Sequence, residues 1–96
     1  MRGQASRSES RVVCLQETLD LPAAAPLAAT LTRFRGQDLV IDASRVQYLG
    51  AQCLQVLLSA AISWNSDGIP LRVTNRATAF TRSLELAGIE TTKFAE

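Results

Sequence analysis

A chain of 96 residues, 47% of them hydrophobic, carries enough apolar surface for one small core and too little length for a second. Ten Lys or Arg against nine Asp or Glu leave a formal charge of +1, too weak a field to recruit DNA, RNA or an anionic membrane. Histidine is absent, which removes the commonest general base, phosphorelay acceptor and metal ligand together, so no catalytic residue, metal or cofactor is expected.

The opening "MRGQASRSES" is polar, rich in Ser and Arg and without periodicity, and reads as a disordered segment or a remnant of expression. It has no signal-type apolar core, and no stretch of the chain reaches the ~20 apolar residues of a membrane helix. A soluble cytoplasmic domain over residues 11–96 is therefore expected. "RVVCLQETLDL" is β-branched and apolar, predicting a strand from Val12 to Leu19. "PAAAPLAATLTRFRG" predicts a first helix with Leu27, Leu31 and Phe34 on one face and Gly36 as its stop. Because proline is tolerated only in a first turn, that helix should begin near Ala25 or Pro26. "DLVIDAS" gives a buried parallel strand from Leu39 to Ile41 that ends on Asp42 and Ser44.

"GAQCLQVLLSAAISWNSDG" is the strongest helix signal, from Ala51 to Asn65 and closed by Gly68. Cys53, Leu54, Leu57, Leu58, Ala60, Ala61 and Trp64 make its apolar face, while Gln52, Gln55, Ser59 and Ser63 fall on a narrow polar stripe flanked by Val56 and Ile62. "IPLRVTN" supplies a strand over Leu71–Thr74, and "ATAFTRSLELAG" a last helix with Phe80, Leu84 and Ala87 on one face. The tail "IETTKFAE" is a weak terminal strand or a fraying end. Alternating β and α elements with buried strands predict an α/β domain with a mainly parallel sheet. Cys14 and Cys53 have no CxxC spacing and lie in apolar runs, so both read as small buried hydrophobes in a reducing cytoplasm.

Nothing in the chain resembles a phosphate-cradling loop, since Gly50 stands without GxGxxG or GxxxxGK[ST] around it. Asp42 ends a strand where α/β folds place functional groups, but a phosphoaspartate site also needs a second acid and a nearby lysine, and Lys93 is the sole lysine. A turn or capping role suits Asp42 better. A protein-binding surface needs less: "SRVQYLG" brings Arg45, Gln47 and Tyr48 directly before the long helix, and Arg and Tyr are favoured at interface hot spots. The Tyr48 ring serves equally as a lid packed on the core.

"LVIDASRVQYLGAQCLQVLLSAA" followed by "GIPLRVTNRATAFTRSLELAGI" resembles the STAS domain, the family named for sulfate transporters and anti-sigma factor antagonists. Asp42 and Ser44 match the family's Asp-x-Ser, and Ser83 to Gly88 match the close of its last helix. The resemblance implies a small sheet with helices packed mainly on one side, and a protein that binds other proteins rather than catalysing. In antagonist members a kinase phosphorylates a serine at the start of the second helix. Aligned here, Gly50 takes the family's Asp position, Gln52 the phosphorylated serine and Cys53 the glycine, so the switch residue is missing. A neutral amide cannot carry phosphate, but it can hold a permanent hydrogen bond.

"LGAQCLQVLLSAA" further resembles STAS-type proteins encoded beside bacterial chemotaxis genes in alphaproteobacteria. That implies an adaptor or modulator of the chemotaxis histidine kinase within a two-component system, binding through Arg45, Gln47, Tyr48, Gln52, Gln55 and Ser59. Two other roles are open within the family: an anti-sigma factor antagonist without a serine switch, and a subunit of a lipid or small-ligand transport complex. A homodimer through Val56 and Ile62 is also open.

Overall fold

The computed structural model describes residues 11–96, so the reading of residues 1–10 as disordered lies outside the described residues. Strand β1 (Arg11–Cys14) is followed by the short β2 (Thr18–Leu19), helix α1 (Leu21–Arg33) and strand β3 (Leu39–Asp42). Then come β4 (Tyr48–Leu49), the long helix α2 (Ala51–Asp67), β5 (Leu71–Thr74), helix α3 (Thr78–Leu86) and a 3-10 turn at Thr91–Lys93. Strands β1, β3 and β5 form a parallel sheet in the order β1-β3-β5, and β2 and β4 form a separate parallel pair.

Side chains alternate across a strand, so one face of the sheet can be read from burial. Leu39, Ile41, Leu71 and Val73 are buried, whereas Val40, Asp42, Arg72 and Thr74 are half-buried or exposed. The helices thus cover one face, as expected. From α2 they contribute Cys53, Leu54, Leu57, Ala60 and Trp64, from α1 Ala23, Leu27 and Leu31, and from α3 Phe80 and Leu84. Each large side chain of this set contributes about 1.5–3 kcal/mol by leaving water. The Trp64 indole N–H donates to the Gln37 carbonyl at 2.7 Å, so the one polar atom of that ring is satisfied inside the core.

Four local expectations are corrected. The run from Val12 to Leu19 is two strands: the chain leaves the first sheet after Cys14, buries Leu15, and pairs again at Thr18 with β4. Helix α1 starts at Leu21, not near Pro26, because Ala23, Leu27 and Leu31 form one buried stripe at four-residue steps and the first of them needs the earlier turn. Pro22 sits at its N-terminal turn, and Pro26 is exposed on its outer side, where the carbonyl it leaves unpaired is open to water. Ala87 is exposed at the end of α3 rather than on the core face. The tail neither frays nor makes a full strand: Phe94 is buried and Ala95 makes a single parallel bridge to Arg72 on the edge of β5.

One of the two cysteines also differs from expectation. Cys53 is buried, and its Sγ–H donates to the Asp20 carbonyl at 3.3 Å. Burial first, and then the negative charge of Asp20, pushes the Cys53 thiol above its ordinary pKa. Cys14 is exposed, because its position on β1 points away from the helices. A thiol reagent added to the folded protein should therefore label one cysteine within minutes and the other only on the timescale of unfolding. Peptide mapping after a short pulse should find Cys14, and equal labelling of Cys53 would contradict the packing described.

Candidate partner-binding site

The segment before α2 is held in place by backbone bonds to the segment before α1. Gln47 and Tyr48 N–H groups both donate to the Glu17 carbonyl, at 2.8 and 3.0 Å, and Gly50 N–H donates to the Leu19 carbonyl at 2.9 Å. Through the β2–β4 pair both helices start from adjacent strands. Their N-termini consequently lie at the same end of the molecule, a proximity that the Cys53–Asp20 contact shows directly.

Helix α2 begins without a side-chain cap, with Gly50 as the N-cap residue, and its first turn carries no acid. The first N–H groups of a helix have no intrahelical acceptor, and the aligned peptide dipoles make that end electropositive. Here the ladder starts with Leu54 N–H donating to the Gly50 carbonyl at 3.0 Å. Gly50 matters for its lack of a side chain. A Cβ there would lie 3.2 Å from the Leu19 carbonyl oxygen and 3.3 Å from two atoms of the Tyr48 ring. The phenol can therefore lean over the helix start while remaining 55% exposed, so it is not a lid closed on the core.

Asp42 anchors the neighbouring loop. Ser44 N–H donates to Asp42 Oδ1 at 2.8 Å, forming an Asx-type turn, and the Asn75 amide donates to Oδ2 at 3.2 Å, tying the ends of β3 and β5 together. The Ser44 side chain foremost, then the Ser44 N–H and then Asn75, hold the Asp42 carboxyl below its ordinary pKa. Asn75 takes a positive φ of 53°, a conformation its short amide tolerates.

The six residues expected to bind a partner are all exposed, and they do not all line the same groove. Gln47 and Tyr48 line a groove of about 710 Å³ between the start of α2 and helix α3. Gln55 and Ser59 line a groove of about 350 Å³ between α1 and α2, where Val56 is half-buried and Ser63 and Arg35 stand on the walls. They also reach a wider groove of about 1050 Å³ beyond α2, which Ile62 borders. Arg45 and Gln52 stand on the surface outside these grooves. Arg35 donates from Nε to Asp67 at 2.8 Å, an ion pair that joins the C-terminal ends of α1 and α2 and raises the Arg35 pKa while lowering that of Asp67.

The far wall of the first groove comes from α3, with Thr78, Ala79, Arg82, Ser83 and Leu86. None of these was among the residues expected to bind a partner. The signal available was Leu86, which falls on the opposite side of a helical wheel from Leu84 and so cannot serve the same core. It is 83% exposed.

A family model described as "Mlab, STAS domain" matches residues 3–95, nearly the whole chain. The chain belongs to the STAS family. No curated protein and no solved structure matches it. STAS domains are non-catalytic regulatory modules, and this one joins no group of three or more potential metal ligands among its described residues. None of its described helices is long and apolar enough to cross a membrane. The match fixes a STAS domain and a protein-binding role, and it reaches neither a chemotaxis kinase nor any other particular partner.

Proposed function

We propose that this STAS domain is a cytoplasmic, constitutive protein-binding regulator that holds its partner at the start of α2 and is not switched by serine phosphorylation. The observation that carries the proposal is the uncapped first turn of α2, with Gln52 exposed upon it and Tyr48 folded beside it over Gly50. By the family resemblance Gln52 occupies the place of the phosphorylated serine. Its amide offers two donors and an acceptor, which suit a permanent hydrogen bond across an interface. Arg45, Gln47 and Tyr48 extend the surface on one side, and Gln55 and Ser59 along the helix on the other.

The STAS match, under the description it carries, supports a role as an anti-sigma-type antagonist or as a subunit of a transport complex better than one as an adaptor of the chemotaxis kinase. The three roles separate in one experiment. The chain is used to retain, in turn, an anti-sigma kinase, the subunits of a transport complex and the chemotaxis histidine kinase, each encoded in the same genome. One of the first two should be retained, and Gln52→Ala should weaken that retention about ten-fold, as truncation at the centre of an interface does. Unchanged retention by Gln52→Ala would overturn the proposed surface. Incubation with the kinase and ATP should add no phosphate, and stoichiometric labelling at Ser44 or Ser59 would overturn the constitutive reading.

A further inference from the structure

The groove between the start of α2 and helix α3 has a composition that specifies its occupant. Its walls are built from Leu49, Ala51, Leu54, Ala79 and Leu86, with a rim of hydroxyl and amide groups. Arg82 is the one charged side chain on it, and no Asp or Glu lines it. Among the described residues no carboxylate forms an ion pair with Arg82; the ion pairs found are Arg35 with Asp67 and Arg76 with Glu96. The groove therefore offers an apolar floor, one uncommitted cation and the electropositive start of a helix that has no acid in its first turn.

We infer that the partner inserts an amphipathic, acid-bearing helix into this groove, its apolar face on Leu54, Ala79 and Leu86 and its carboxylate on Arg82. The inference rests on the protein-binding role proposed above and names the chemistry of the partner. Helical recognition suits these walls better than strand addition, because β4 is only two residues long and offers no run of open edge. Helix α3 is nine residues long. At 1.5 Å per residue it presents a wall about 14 Å long, matching some two and a half turns of a partner helix. Charge complementarity selects the sign: an acid gains from both Arg82 and the α2 terminus, and a base is repelled by both. Leu86 receives a role that the core does not give it.

Two fluorescent 14-residue helical peptides test the inference on the intact chain. They share leucines at i, i+3, i+4 and i+7, and differ in carrying glutamate or lysine at every flanking position. At low salt the acidic peptide should bind about five-fold tighter, the effect of a partly exposed ion pair. Amide shifts should centre on Ala79, Arg82 and Leu86. Arg82→Glu should reverse the preference, and Leu86→Ser should weaken both peptides while leaving the thermal midpoint unchanged, since Leu86 is exposed. Equal binding of the two peptides, no binding, or shifts confined to the far side of α2 would overturn the inference. Should the retained partner be lost with Gln52→Ala but kept with both Arg82→Glu and Leu86→Ser, the binding role would stand and the acidic-helix inference would fall.

Discussion

Replacing Arg76 with alanine should destabilise the domain by about 3–5 kcal/mol, because several backbone carbonyls lose one shared charged donor and each acceptor left unsatisfied costs about 1–3 kcal/mol. The Arg76 side chain is only 9% exposed. Its guanidinium donates to the carbonyls of Val73 at 3.0 Å, Thr91 at 2.9 Å and Ala95 at 3.3 Å, and also to that of Phe94. It thereby ties the last six residues to the end of β5. The contact with Glu96 at 3.5 Å adds little, because that carboxylate is 75% exposed. Loss of the clamp leaves carbonyl groups without donors and frees Phe94 to leave the core. For a domain of this size the thermal midpoint should fall by at least about 12 °C. Arg76→Lys should recover only part of it, since an ammonium cannot span four carbonyls in a planar fork. A midpoint within a few degrees of the parent would show that the tail is held by packing alone.

Phe80→Ala should cost about 3–5 kcal/mol, as truncating a fully buried aromatic does. Phe80 is wholly buried on α3 and meets Phe94 edge to face, with ring centroids 6.1 Å apart and an interplanar angle of 60°. Phe94→Ala should show a loss of the same order. The double variant should lose less than the two single losses together, by the 0.5–1.5 kcal/mol or so that such a ring pair is worth. Urea unfolding monitored at Trp64 measures all three. Strict additivity would mean that the two rings stabilise α3 and the tail independently.

Strands and helices were legible wherever one periodicity ran unbroken. Leu71–Thr74 was read at its observed bounds, and α2 was read from Ala51 with its stop at Gly68, which takes a left-handed φ of 71°. Legibility failed where tertiary pairing overrode local pattern. The run Val12–Leu19 contains no turn residue, and only the pairing of Thr18 and Leu19 with Tyr48 and Leu49 shows that it is broken. The two prolines of α1 argued for a late start, and the burial of Ala23 outweighed them. At the site, the exposure of Gln52, Gln55 and Ser59 followed from the helical wheel. The wheel could not show that α3 stands beside the start of α2, which is why Arg82 and Leu86 were missed. Cys14 looked buried because an apolar run does not say which side of a sheet lacks a helix.

The sheet also dictates how this chain must acquire its structure. Every strand pairing among the described residues is parallel, so Leu39 finds its neighbours at Arg11 on one side and Leu71 on the other, with a complete helix in each interval. No hairpin can form early and serve as a template, and each pairing must wait for a long loop to close. During synthesis the central strand β3 stays half-paired until β5 has emerged, and the edge of β5 gains its bridge only when Ala95 reaches Arg72. A chain in which Ala95 has not reached Arg72 exposes that edge, so partly folded forms of this domain should aggregate far more readily than the native fold.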